Sequence, residues 1–147
     1  MLRATLAVGV VAALATASPA VAAKTPIPGI RTPSGNIACL FVPGAPAGLH
    51  CAIEAASYST ALQGRCMKNA GLDWHGFELT PTTRGAVTCT GGILYSPGTQ
   101  RPVYRTLAYG KTWRHGGFTC ASATNGLTCR NRKGHGLFIA RESWRAW

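Results

Sequence analysis

Acidic side chains are scarce in this chain. Its 147 residues include four Asp and Glu against fifteen Lys and Arg, which gives a formal net charge of +11 at pH 7. A glycoside hydrolase usually needs two carboxylates at its active site. Only Glu54, Asp73, Glu78 and Glu142 could supply them here. The scarcity argues against that class of enzyme, and the positive charge predicts attraction to anionic surfaces or polymers.

A long apolar segment is also missing. The run from Leu6 to Ala15 is shorter than the roughly 20 residues of a membrane-spanning helix. It follows Arg3 and precedes the small residues Ala22 and Ala23, an order that is typical of a secretory signal peptide. We predict a signal peptide over residues 1–23 and a secreted, periplasmic or cell-envelope protein with no membrane span after cleavage. Without Arg3, 14 Lys and Arg remain against the four acids, a formal charge of +10.

Cys-x2-Cys pairs are absent, which argues against a structural zinc site. Six cysteines in an exported chain instead predict three disulfides. Their spacing favours pairing in sequence order, as Cys39–Cys51, Cys66–Cys89 and Cys120–Cys129. Opposite Cα atoms of an antiparallel strand pair lie about 4.5 to 5.5 Å apart, which a disulfide can span. We expect no metal and no cofactor.

Short strand-like runs separated by turn residues predict a mainly β fold. We expect a small antiparallel sandwich or barrel-like domain of disulfide-stapled hairpins over residues 32–147, with at most short helices such as one around Ala61 to Met67. The Asn125-Gly126 pair is typical of a tight hairpin turn. Residues 24–31 contain two prolines and a glycine, and we predict that they form a flexible lead-in.

Two segments share a pattern in which apolar-x-Cys is followed by a loop and then by Gly-Leu-x-Cys. They span residues 37–51 and 118–129. Duplication would produce this pattern, and so would two hairpins that obey the same rules. Beyond them, Leu137 to Ala140 predicts a strand and Glu142 to Trp147 one helical turn. In such a turn Trp144 and Trp147 would share one face and close the core.

The chain resembles an uncharacterised family of small exported bacterial proteins with a domain of unknown function. The resemblance lies in TPSGNIAC at 32–39, LAYG at 107–110, and GGFTC, GLTCRN and GHGLFIARE between 116 and 142. Leu137 and Ala140 depart mildly from the family, which usually has Phe and Ser at these positions. The resemblance implies an exported single domain with paired cysteines, and it implies no activity.

No recognisable catalytic motif is present, and we assign no catalytic residue. The enzyme alternative is a secreted ribonuclease or other phosphodiesterase in which two imidazoles act as acid and base beside a cation. His115 and His135 would be those imidazoles. Because His135 lies between two glycines, a role as a turn residue explains it more simply.

A binding module needs fewer assumptions, because the cations and aromatic residues of the second half suit an anionic envelope polymer or an acidic partner protein. An inhibitor of a hydrolase belongs to the same class. The predicted binding residues are Tyr109, Trp113, Arg130, Arg132, Lys133, His135, Arg141 and Arg145. The sequence leaves the oligomeric state open.

Overall fold

The structure, a computed structural model, describes residues 22–44, 47–92 and 94–147. The signal peptide predicted over residues 1–23 therefore lies outside the described residues, apart from its last two. No helix in the described part of the chain is long and apolar enough to cross a membrane.

The described residues form eleven strands and one helix. In chain order they are β1 Thr25–Arg31, β2 Ile37–Val42, β3 Gly48–Ile53, α1 Ser59–Ala70, β4 Trp74–Leu79, β5 Ala86–Cys89, β6 Gln100–Thr106, β7 Thr112–His115, β8 Phe118–Ala123, β9 Gly126–Arg130, β10 Gly136–Ile139 and β11 Trp144–Ala146. The first sheet has the order β5-β4-β3-β2-β1-β6 and the second β11-β10-β9-β8-β7. Buried residues of both sheets form one core. The predicted mainly β, two-layered fold is confirmed.

The three predicted disulfides are confirmed in sequence order. Cys39 and Cys51 are directly opposite each other in the β2–β3 hairpin, and Cys120 and Cys129 are opposite in the β8–β9 hairpin, each pair with a Cα–Cα distance of 4.0 Å. The Sγ atoms of Cys39, Cys51 and Cys129 lie within 4.8 Å of one another. The two hairpin disulfides therefore pack against each other between the sheets.

The third disulfide joins the helix to the first sheet. Cys66 of α1 bonds to Cys89 of β5. The helix buries Leu62 and Cys66 and ends at Gly71, whose φ of 63° lies in the left-handed region and whose N–H donates to the carbonyl of Met67. Glycine adopts this conformation without the steric cost of a Cβ. The helix is longer than the predicted Ala61 to Met67 and covers that range.

The prediction of a flexible lead-in over residues 24–31 is wrong. Strand β1 lies between β2 and β6 and pairs with β6 in parallel over its full length. Its side chains Ile27 and Ile30 are each 1% exposed. The N–H of Thr25 donates to the carbonyl of Thr99, just before β6, so the backbone N–H and C=O groups of the odd-numbered residues of β1 point toward β6. Those of the even-numbered residues point toward β2, and pairing with β2 begins only at Gly29. Pro26 and Pro28 therefore leave no ladder hydrogen bond unmade.

The predicted helical turn over Glu142 to Trp147 is also wrong, because β11 pairs with β10 in this region. A single helical turn would leave most of its backbone N–H groups without partners, whereas the strand satisfies them. Strand alternation sends the two indoles to opposite faces of the sheet. Trp144 packs on Phe77 in the core at 5.0 Å between ring centroids, and Trp147 lies on the outside.

Candidate binding face

The second sheet has a solvent-facing side, here named the outer face. Alternation along β7 to β11 turns every second residue toward it, while the neighbours of those residues enter the core. Two rows of outer-face residues cross the sheet by strand pairing. The first row is Arg114, Thr119, Arg130, Gly136 and Trp147, and the second is Thr112, Ala121, Thr128, Phe138 and Arg145.

Both aromatic rings of the outer face lie over glycines. A Cβ placed on Gly136 would collide with the Trp147 indole. A Cβ placed on Gly126 would lie 2.8 Å from the Phe138 ring and 2.6 Å from the Ile139 carbonyl oxygen. The missing side chains therefore allow the two rings to approach the strand backbone closely.

The arginines of the face contact these rings. The guanidinium of Arg145 lies 5.4 Å from the Trp147 centroid and 5.9 Å from that of Phe138, and Arg130 lies 5.3 Å from Trp147. Cation–π contacts of this kind are worth about 0.5 to 1 kcal/mol at exposed sites. They hold the two guanidiniums on the sheet while leaving their N–H groups free to donate to a ligand.

The outer face carries positive charge without a compensating acid. Its two rows contain three arginines and no Asp or Glu. Neighbouring strands are about 4.8 Å apart, so Arg114 and Arg130, two strands apart in one row, have Cα atoms separated by about 10 Å. Glu142, in the β10–β11 turn, has its carboxylate 4.0 Å from the Nε of Arg141.

The β9–β10 turn borders the face and is organised by Asn131, which is 6% exposed. The side-chain oxygen of Asn131 accepts hydrogen bonds from the N–H groups of Lys133 and His135. Its amide nitrogen donates to the carbonyls of Thr80 at 2.9 Å and Thr83 at 3.0 Å, which belong to the turn after β4. Asn131 thus joins the edge of the face to the first sheet.

Arg132 and Lys133 are exposed on this turn, and His135 is half-buried. A Cβ on Gly117 would lie 3.2 Å from the Nε of Arg132, so the turn adjoins the β7–β8 connection. The two turns meet because Thr119 pairs with Arg130. These residues therefore extend the positive charge at one end of the outer face.

The predicted binding residues are separated into three places. Arg130 and Arg145 lie on the outer face, with Arg132, Lys133 and His135 beside it. Trp113 faces the other way, since it pairs with Cys120 and packs against the core. Tyr109 and Arg141 line a cleft at the opposite end of the sheet. Sequence reasoning missed Arg114, Phe138 and Trp147 as members of the face. The glycines beneath the two rings, Gly126 and Gly136, are a signal that can be recognised only once the strand register is known.

The histidines of the enzyme alternative lie at the same end of the second sheet. His115 stacks on Trp113 at 5.6 Å and meets Phe41 edge-on at 4.7 Å. Neither its imidazole nor that of His135 has a hydrogen bond to another described residue. The acid–base role of this pair stays a prediction.

Two other histidines, which are not among the predicted site residues, share a cavity. His50 and His75 line a cavity of about 290 Å³ on one face of the first sheet, together with Leu40 and Tyr104. Burial lowers the pKa of His50, and Glu78, opposite it in β4, acts in the raising direction. The Nδ1 atom of His50 is buried and has no hydrogen-bond partner among the described residues.

The chain belongs to a family of unknown function, DUF6636, whose model matches residues 9–145. This match confirms the resemblance to an uncharacterised domain of unknown function. No curated protein and no solved structure gave a match. The function has to be argued from the surfaces of the chain itself.

Proposed function

We propose that this protein is an exported binding module, acting outside the cytoplasm, whose outer face binds an anionic polymer of the cell envelope. The observation that carries the proposal is the array of Arg130, Trp147, Arg145 and Phe138, in which rings seated on glycines contact two guanidiniums, both of them at the Trp147 indole. A guanidinium held in advance loses less conformational freedom when it binds an anion.

The flatness of the face supports a polymer as the ligand. Its rows run across the sheet and present two threonine hydroxyls, that of Thr119 between Arg114 and Arg130 in the first row and that of Thr128 in the second. Hydroxyls and guanidiniums both donate hydrogen bonds to phosphate or carboxylate oxygens. An extended polyanion can contact several of these groups at once, whereas a small anion would reach one guanidinium in an open, water-filled setting.

Export is part of the proposal and draws on two features. The apolar run after Arg3 has the form of a signal peptide, and three disulfides are compatible with an oxidising compartment. An acidic partner protein offers the same charge as a polymer and is the competing outcome of the test below.

The test is a titration with inorganic polyphosphate over a range of salt concentrations. Binding through charge makes the logarithm of the association constant fall linearly with the logarithm of salt, by about 0.7 per phosphate neutralised on a flexible strand. The variant Arg114→Gln/Arg130→Gln/Arg145→Gln should lower this slope by about 2 and leave the fold intact, because all three side chains are exposed.

The matched control removes the same charge elsewhere, as Arg65→Gln/Arg101→Gln/Arg105→Gln. These three exposed arginines belong to α1 and β6. If both triple variants lose affinity equally, net charge and not the outer face is responsible, and the proposal is wrong. Failure of polyphosphate to bind, together with tight binding of an acidic protein that is lost in the first variant, would replace the polymer with a protein partner.

A further inference from the structure

A second site lies beyond the arginines of the outer face, in the cleft that contains Tyr109 and Arg141. The cleft has a volume of about 760 Å³ and opens where three turns meet, namely those between β1 and β2, β8 and β9, and β10 and β11. That volume is in the range of small-molecule sites, about 300 to 1,000 Å³. Both sheets contribute to its walls.

One wall of the cleft is fixed by its own hydrogen bonds. The side-chain amide of Asn36 pairs with both backbone groups of Ala55, donating to the carbonyl at 3.0 Å and accepting from the N–H at 2.9 Å. Thr32 accepts through its hydroxyl from the N–H of Ile37 at 3.2 Å. The polar atoms of this wall are occupied, so the wall is rigid before any ligand arrives.

The opposite side of the cleft carries polar groups that are not occupied. The hydroxyl of Tyr109, the amide of Asn125 and the hydroxyl of Ser143 line the cleft, and none has a side-chain hydrogen bond to another described residue. An amide and two hydroxyls offer donors and acceptors together. A ligand rich in hydroxyl groups, each of which donates and accepts, matches this set.

The cleft differs from the outer face in charge. Its cation, Arg141, has the carboxylate of Glu142 at 4.0 Å, and both side chains line the cleft. Their charges cancel, so a polyanion gains little here. A paired guanidinium and carboxylate can still exchange hydrogen bonds with neutral hydroxyls, the one donating and the other accepting.

Two aromatic rings complete the lining. Tyr109 is 42% exposed, a large fraction for a tyrosine in a concave site, and Phe138 contributes its half-buried ring. Sugar rings combine an apolar C–H face, which packs on an aromatic ring, with a rim of hydroxyls. Peptides and lipids lack that combination within one small unit.

We infer that the cleft is a binding site for a neutral oligosaccharide, with Tyr109 as the stacking residue and Asn125 as a hydrogen-bonding residue. The inference is independent of polyanion binding, since the cleft is neutral and contains none of the three arginines of the outer face. The first sheet supplies the rigid wall and the second sheet the contacts that select the sugar.

The test is a titration of isotope-labelled protein with four neutral hexasaccharides, cellohexaose, maltohexaose, mannohexaose and chitohexaose, followed by backbone amide NMR shifts. At least one should bind with a dissociation constant of about 1 mM or below, with shifts concentrated at residues 32–37, 123–126 and 138–143. Tyr109→Ala should weaken that binding by about 3- to 10-fold. Polyphosphate binding should be unchanged in this variant.

The matched control is Tyr104→Ala, because Tyr104 of β6 is 41% exposed and lies outside the cleft. Equal weakening by both tyrosine variants would overturn the inference. It would also be overturned if no hexasaccharide bound, or if the shifts fell on the outer face. If the protein bound a hexasaccharide but not polyphosphate, the proposed function would be wrong and the inference about the cleft would stand.

Discussion

Trp144 of β11 and Trp147, the residue after this strand, should differ sharply in how much stability their removal costs. Trp144 lies on the core side and packs against Phe77, while Trp147 lies on the outer face over Gly136. Trp144→Ala should therefore lower the free energy of unfolding far more than Trp147→Ala. The comparison uses the same substitution at two positions three residues apart, each of which pairs with a residue of β10.

The expected magnitudes follow from the contacts. Replacing a fully buried Trp or Phe by Ala costs about 3 to 5 kcal/mol. Trp144 is only half-buried, so we expect about 2 to 3 kcal/mol, including its aromatic contact with Phe77. Trp147 is half-buried too, but it packs outside the core, on Gly136. Its removal loses two cation–π contacts with the exposed Arg130 and Arg145, and we expect a cost of about 1 kcal/mol.

The assay is guanidinium unfolding of the disulfide-intact protein followed by far-ultraviolet circular dichroism, since the substitutions remove fluorophores. With a denaturant slope of about 3 kcal/mol per molar, Trp144→Ala should lower the midpoint by roughly 0.7 to 1 M and Trp147→Ala by about 0.3 M. Equal losses would place both indoles on one side of the chain, as a helical turn would, and would refute the strand assignment together with the outer face.

Two further predictions concern the buried amide of Asn131 and the half-buried phenol of Tyr58. Asn131→Ala leaves two N–H groups and two carbonyls without their partner and should cost about 2 to 4 kcal/mol in chemical unfolding, whereas Asn125→Ala should stay within about 0.5 kcal/mol; similar losses would mean that the Asn131 hydrogen bonds contribute little. Burial raises the pKa of Tyr58 from 10.0 to about 12, so this phenol loses its proton at a lower pH in the unfolded chain than in the folded one. Its contribution to the free energy of unfolding should be complete below pH 10 and should be lost as the pH rises toward 12. Tyr58→Phe should show a smaller decline over that interval, and an identical decline in both proteins would contradict the assignment.

The disulfides were predictable because their determinants are local. Cys120 and Cys129 flank a loop with a strong turn signal, and a hairpin closed by that turn places them opposite each other. The same reasoning holds for Cys39 and Cys51. That the two disulfides pack together is a property of how the sheets stack, which no local pattern contains.

Strand β1 was missed for a different reason. Proline has no N–H group and is unfavourable within a paired strand. Pro26 and Pro28 are tolerated because their nitrogen atoms point toward the β2 side, and β1 has no pairing partner on that side before Gly29. Its parallel partner β6 starts 75 residues further along the chain. Pairing between strands so far apart in the chain produces no local pattern in the sequence. The prolines and the glycine of residues 24–31 therefore predicted a flexible segment.

The candidate face illustrates the limit of reasoning from charge clusters along the sequence. Arg130, Arg132 and Lys133 are neighbours in the chain, yet alternation and the turn separate them, and Arg114 joins Arg130 through Thr119 across the sheet. Charge density along a sequence predicts that a polyanion will be attracted. Register decides which cations can act on it together.

Register also separates stability from binding in the second sheet. Leu127, Cys129 and Leu137 enter the core, and the residues between them form the outer face. Substitutions of the exposed arginines therefore remove no core contact, and the disulfide beneath them holds the hairpin in place. The exception is Gly136, which serves both roles because it lies in a buried strand and seats Trp147. A Gly136→Ala chain would have to displace the indole, and with it the guanidiniums of Arg130 and Arg145, so this position couples the fold to the binding surface most directly.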